Sequence, residues 1–354
     1  MRNSRIIVFV SGVVGLVILF LIVPFYLRSK ENSYPMAAAY LDGKYIRFYC
    51  VDSSRCFSDI NAGDQVGIFR MPGSLLSIES AFYGNNNVLY FFVTGSTSSY
   101  LLRVDLATKN VRKQDITSFS TALAVPKLRK MIHGKLVVAT SEGQFAFVED
   151  DFSIRTVSIH SPIHGFVETQ GSKLIAYGEN YMMDGQMQAV VYLIDVNTGV
   201  YEKKVLPGPE AQGLILHISS DMKRIFYLYS QGLGMYDISK AQTTVTLPVK
   251  GMEYEGRVQD IYHNIWYFDR WDGEGGGADG KILSLSTLKA IIDPSVLLRN
   301  EASAKFIVIP FGDNLLVETN SAVTTITQNG VIGKKYKLPS HIINQNHVFI
   351  EYQN

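Results

Sequence analysis

The residues able to do chemistry are few and dispersed. Two cysteines, Cys50 and Cys56, flank "VDSSR", a spacing that lets them face one another across a hairpin at the separation a disulfide requires. Two readings stay open: a disulfide, which an oxidising compartment would preserve, or free thiols packed as small hydrophobes. The disulfide is the expectation, and neither reading makes the pair catalytic. Of the seven histidines, His133, His164, His217, His263 and His341 fall on or beside apolar segments. A metal site needs several of them to converge, yet His133 and His263 sit at their turns whereas His217 is followed by Ile218 and Ser219. They read as turn residues or satisfied interior residues, and no metal is expected. Neither a serine nucleophile elbow, a P-loop, a HExxH helix nor a CxxC pair occurs, so no catalytic residue and no cofactor is assigned.

Two glycine- or methionine-bearing stretches remain. "RWDGEGGGADGK", Arg270 to Lys281, contains G-x-G-x-x-A, but it runs from strand to strand without a helix whose N-terminus would hold a phosphate, so no dinucleotide site follows. Asp272, Glu274 and Asp279 lack the spacing of an EF-hand loop, and the stretch reads as a hairpin tip. "YGENYMMDGQMQAV", Tyr177 to Val190, carries Tyr181, Met182, Met183 and Met187. Methionine and aromatic side chains on a rigid support suit adaptable protein contact; folding back onto neighbouring strands is the alternative. The candidate partner contacts are therefore Tyr181, Met182, Met183, Trp271 and Asp272.

The elements that must carry these residues are strands. "NVLYFFVTG", "KLVVAT", "KLIAYG", "RIFYLYS", "IWYFDR", "NLLVET" and "HVFIEY" recur along the chain at intervals of roughly 30 to 50 residues, the period of propeller blades or solenoid units. Each follows a turn-rich junction with another short strand upstream, and the first six are followed by an alternating partner and a polar outer strand. Asp105, Asp195 and Asp237 close the third strand of three units, where a carboxylate can accept backbone N–H groups two residues on. The last unit stops after two strands, and "GKYIRFYCV" with "RCFSDI" near the N-terminus has the character of the missing outer strands. Pairing of the last strand with an early one would close the ring and remove its open edges. The expected fold is all-β: a seven-bladed β-propeller.

"LLRVDLATKNV" and "VYLIDVNTGV" resemble the strand-turn-strand of quinoprotein-like and related bacterial propeller repeats, with their D-x-x-T-G hairpins. The resemblance covers most of the chain beyond its first thirty residues and implies a class that includes cofactor-dependent dehydrogenases, lactone hydrolases and non-enzymatic assembly scaffolds. The chain departs from the quinoprotein pattern in having only Trp266 and Trp271, so the tryptophan that closes each such repeat is missing. It also lacks the Gly-His and Trp-Asp pairs of WD40 repeats and the double glycines of kelch repeats. The resemblance carries over no active-site residue.

Composition and the N-terminus bound the rest. Apolar residues make up 47% and aromatic residues 12% of 354 residues, enough for a large β core and unlike a disordered chain. A net charge of +1 lacks the field a nucleic-acid binder uses, and no nucleic acid is expected. Ile6 to Leu27 contains no charged residue, and a helix of that length rises about 33 Å, enough to cross a bilayer core. The nearest small-residue cleavage pattern, "MAAAY", lies well past the apolar run, so an uncleaved signal anchor is expected. Arg2 and Arg5 before the span place the N-terminus in the cytoplasm. No Asn-x-Ser/Thr acceptor occurs, which favours a bacterial envelope.

The expectation is thus a cytoplasmic tip and anchor over residues 1–30, with an exported propeller over residues 31–354 that acts as an interaction or assembly module for a protein partner in the cell envelope. The rival is an enzyme or small-ligand receptor using His164, His217, His263, Glu168 and Asp260 at the channel mouth.

Overall fold

Short apolar runs separated by left-handed turn residues fold into hairpins. His133 and Gly134 (φ 49° and 75°) and Asn86 and Asn87 (φ 60° and 59°) reverse the chain between adjacent strands. The computed structural model describes residues 35–51, 56–62, 77–95, 98–117, 128–183, 186–209, 213–229, 232–248, 258–262, 265–268, 281–284, 290–292, 307–312, 314–327, 330–344 and 346–352. They form an all-β, propeller-like fold. Among these residues no helix is long and apolar enough to cross a membrane; the apolar run Ile6 to Leu27 lies outside them.

Four runs of consecutive strands form separate four-stranded antiparallel sheets. The first comprises Leu128–Ile132, Lys135–Ala139, Gln144–Val148 and Ile154–Ser158. The second comprises Ile163–Glu168, Lys173–Met183, Gln186–Asp195 and Tyr201–Pro207. Gly213–Ile218 through Gln242–Pro248 make the third, and Val258–Tyr262 through Ala290–Ile292 the fourth. The other strands join in one twelve-stranded network. Antiparallel pairing divides that network into Ser77–Gly84 through Val111–Asp115, Ile307–Phe311 through Tyr336–Lys337, and a run that starts at the C-terminal strand His347–Tyr352 and continues into Ala37–Asp42, Tyr45–Cys50 and Ile60–Asn61. The three runs touch through their first strands, which pair in parallel: Phe311 with Tyr352, and Ile350 to Tyr352 with Ala81 to Tyr83.

The place of the last strand corrects the sequence alignment. By sequence pattern "HVFIEY" falls with the second strands of the other units, in a terminal unit that supplies two strands. The structure instead makes it a first strand, beside Ala38, Ala39 and Tyr40, and the residues just upstream form a helical turn, Ser340–Ile343. Three strands rather than two come from the N-terminal side, and the extra one is the "MAAAY" segment, whose Ala37, Ala38 and Ala39 are buried. First and second strands are equally apolar because both lie between covered faces; only the parallel neighbours distinguish them, and those are remote in sequence.

The covered faces explain the unbroken apolar runs. In the Ile163–Pro207 sheet, Leu174, Ala176, Val190 and Tyr192 pack against the preceding sheet through Phe145 and Phe147. Their sequence neighbours Ile175, Tyr177, Ala189 and Val191 pack on the opposite side against Ile215, Ile225 and Tyr227. Strand side chains alternate faces, so the inner strands of a sheet sandwiched between two others carry apolar residues on both faces. Each fully buried large side chain contributes about 1.5–3 kcal/mol, and Phe82, Phe91, Phe92, Phe145, Phe147, Phe166 and Phe226 are all below 2% exposure.

Candidate functional site

The segment bearing Tyr181, Met182 and Met183 is built by unequal strand lengths. The hairpin Lys173–Met183 and Gln186–Asp195 is the longest among the described strands. Its inner neighbour stops pairing at Ile163, opposite Gly178, where a Cβ on the glycine would come within 2.4 Å of the Ile163 Cα. The glycine admits that close approach, and beyond it the hairpin continues alone on its inner side. The outer neighbour stops at Pro207, opposite Gln188. Past the last ladder pairs of both neighbours, Met182 with Met187 and Met183 with Gln186 therefore form a two-stranded ribbon, which the residues after Pro207 still flank at Met187. Its base is tied down: Met187 is fully buried among Val191, Ile215 and Tyr227, and its N–H donates to the Pro209 carbonyl at 2.9 Å. For Met187 the inward-folding alternative is the observed one. Trp271 and Asp272 lie outside the described residues.

Among the described residues, His164, His217 and Glu168 of the rival reading each meet a different partner. His133 Nδ1 is 2.8 Å from Glu168 Oε1 and its Nε2 is 3.0 Å from the Lys173 carbonyl, so both ring nitrogens are engaged in joining one sheet to the next. His164 Nδ1 lies 3.4 Å from the Ile215 carbonyl. His217, 2% exposed, sits edge-on to the Tyr177 ring, with the tyrosine hydroxyl 3.5 Å from its Nδ1, and against Phe226. His341 packs edge-on to Tyr49. His263 lies outside the described residues, and Asp260 belongs to the strand Val258–Tyr262, opposite Trp266. Among the described residues no group of three or more His, Cys, Asp or Glu is placed to hold a metal ion.

Cys50 and Cys56 are joined as a disulfide with Cα atoms 5.5 Å apart. The bond ties the end of Tyr45–Cys50 to the segment leading into Ile60–Asn61, in the run shared by both chain ends. That run is also held by His347, whose Nε2 is 2.9 Å from Glu318 Oε1 with both side chains under 5% exposed.

Sequence reasoning missed a charged cluster on the first strands. Arg129 and Lys130 of Leu128–Ile132 lie within electrostatic reach of Glu351 on the C-terminal strand. Burial raises Glu351 to about 8, with Lys130 and Arg129 pulling the other way, and lowers Arg129 to about 10, so the guanidinium remains charged at neutral pH. No local motif marks this set, because its members are more than two hundred positions apart.

No protein-family model matches the sequence, and no curated protein matches it. The strand arrangement defines the class, a propeller-like all-β protein. Among solved structures, the chain is similar to the beta-propeller domain of Myceliophteria thermophila Cps50 (Swd1), with 14% identity over 74% of this chain and 87% of that one and a TM-score of 0.43. It is similar to the dihydro-heme d1 dehydrogenase NirN, with 10% identity over 86% of this chain and 64% of that one and a TM-score of 0.44. It is also similar to the tricorn protease, with 12% identity over 83% of this chain and 32% of that one and a TM-score of 0.45.

Proposed function

We propose that the chain is a membrane-anchored, extracytoplasmic seven-bladed β-propeller that serves as a protein-interaction or assembly module in a cell-envelope complex. The observation that carries the interaction role is the ribbon at Met182–Met187 and Met183–Gln186, which outruns both neighbouring strands while its base is locked into the core. A hairpin supported in this way offers contact residues at little ordering cost. Among the described residues, seven runs of four strands, one of them shared between the two ends of the chain, support the ring reading. The anchor rests on the uncharged stretch Ile6 to Leu27. A membrane tether raises the effective concentration of weak contacts.

The test compares membranes carrying the wild-type chain with membranes carrying a variant in which Tyr181, Met182, Met183, Trp271 and Asp272 are all alanine. Affinity purification after crosslinking is expected to recover a protein partner with the wild type and to lose at least tenfold of it with the variant, while both chains stay in the membrane pellet after carbonate extraction. Equal recovery from both chains would remove the contact role. Release of the wild type by carbonate would remove the anchor.

A further inference from the structure

The outer strand Tyr201–Pro207 leaves one edge of its sheet open. It runs for seven residues, against five for the outer strands Val111–Asp115 and Ile154–Ser158, and among the described residues it pairs only with Gln186–Asp195. Which backbone groups face outward follows from the ladder. The Asp195 N–H donates to the Val200 carbonyl at 2.9 Å, in register with the pairs Leu193 with Glu202 and Val191 with Lys204. Alternate pairs of an antiparallel ladder are hydrogen-bonded, so Val200, Glu202, Lys204 and Leu206 direct their backbone polar groups inward. Those of Tyr201, Lys203 and Val205 point away from the sheet, and among the described residues nothing pairs with them. The same edge carries apolar surface, with Val200, Tyr201 and Val205 exposed by 70%, 41% and 47%.

An open edge of this kind is a template for a further strand, and its own sequence fits it in one antiparallel register. Placing two copies with Lys203 opposite its own counterpart sets Tyr201 opposite Val205, Glu202 opposite Lys204 and Val200 opposite Leu206. The outward backbone groups then meet as hydrogen-bonded pairs, and Glu202 and Lys204 fall at the closer non-bonded pairs, where opposite charges attract. Sliding one copy by two residues, which keeps the outward groups facing, puts either Glu202 or Lys204 against itself. Lysine on an edge normally blunts such pairing. Here Lys203 is drawn back over the Tyr192 ring of the neighbouring strand, its Nζ 5.8 Å from the ring centre, and Lys204 Nζ lies 3.7 Å from Glu202 Oε1. We propose that Tyr201–Pro207 is a self-association edge, to which a second copy of this chain adds its own Tyr201–Pro207 strand across a two-fold axis at Lys203. The pairing joins two four-stranded sheets into one continuous sheet and covers Val200, Tyr201 and Val205. The proposal does not depend on the ribbon or on the partner it would contact.

The experiment is oxidative crosslinking of the full-length chain in detergent micelles, with one cysteine added to a chain whose own two are already joined. Lys203→Cys places a thiol on the two-fold axis, where opposed hydrogen-bonded residues have Cα atoms about 5.5 Å apart, within disulfide range. It is expected to give a disulfide-linked dimer on non-reducing gels. Glu202→Cys faces Lys204 of the second copy rather than its own counterpart and is expected to crosslink at least tenfold more slowly. That contrast separates strand pairing from proximity imposed by the micelle. Adding Val205→Pro to Lys203→Cys removes an outward N–H that the sheet does not use and is expected to slow crosslinking at least tenfold. Adding Glu202→Lys or Lys204→Glu alone is expected to slow it at least threefold, and adding both is expected to restore it. Circular dichroism melts check that each variant is folded, and if the proline variant fails to fold, the charge swap decides alone. Equal crosslinking of Lys203→Cys and Glu202→Cys, an unchanged rate in the folded proline variant, or failure of the double swap to restore the rate would each overturn the proposal. So would a Lys203→Cys crosslink in native membranes to a different protein in place of a second copy.

Discussion

Single aspartates fasten the turns that follow three of the third strands. Asp195 ends a third strand, and its Oδ1 accepts the Asn197 N–H at 3.0 Å and the Thr198 N–H at 2.8 Å, while Ser172 Oγ donates to Oδ2 at 2.6 Å. Asp105 and Asp237 accept from the corresponding backbone groups of Ala107, Thr108, Ser239 and Lys240. The turn role was readable because the acceptors lie two and three positions on. The Ser172 bond, twenty-three residues back, was not. Hydrogen bonds from Ser172 and then from the Thr198 backbone hold the Asp195 carboxyl down to about 2. A carboxyl depressed in the folded state stabilises above its unfolded pKa, and the benefit fades as pH falls through the folded value. Asp195→Asn is therefore expected to lower the melting temperature at neutral pH, with the gap to wild type narrowing between about pH 4 and about pH 2; melts across that range measure it.

At the scale of strands, existence was legible and rank was not. The apolar runs and their turns marked the second strands well, because a tight reversal and a following alternating partner are local signals. Which strand lies innermost depends on neighbours in other sheets, and so the rank of "HVFIEY" is set by Ala38 to Tyr40 and Ala81 to Tyr83 rather than by its own pattern. The both-sided burial that hid its rank also makes these sheets sensitive to lost volume. Phe166, fully buried on a first strand and edge-on to Phe145 at 5.8 Å across the sheet interface, is expected to cost about 3–5 kcal/mol when replaced by alanine. Phe166→Leu is expected to cost less, because it retains more of the side-chain volume. Urea titrations of the two variants separate a packing role from a general fragility of the strand, which would make both losses large.

For the molecule as a whole, stability is expected to turn on the run of strands that joins the two chain ends. The C-terminal strand is held on one side by Ala38 to Tyr40, on the other by Ala81 to Tyr83, and at its start by the buried His347 to Glu318 contact. The disulfide lies in the same run, with six residues of sequence separation, and a loop of that size restricts the unfolded chain by about 2 kcal/mol. Cys50→Ser is expected to lower unfolding free energy by about that amount, and reduction of the wild type should reproduce the loss while leaving the variant unchanged. A variant that melts like the oxidised wild type would show that the bond does not stabilise the closed run.

Strand content, hairpin turns, a recurring strand pattern and two cysteines six positions apart followed from the sequence by itself, because each depends on residues within a few positions of one another and on alternation along a strand. The tertiary structure alone decided the order of strands in the shared run, the ribbon that outreaches its neighbours, the use of histidines as joints between sheets and the meeting of Arg129 with Glu351. These are set by contacts between segments far apart in the chain, where a charge on one strand finds its counterpart only once several sheets have packed face to face.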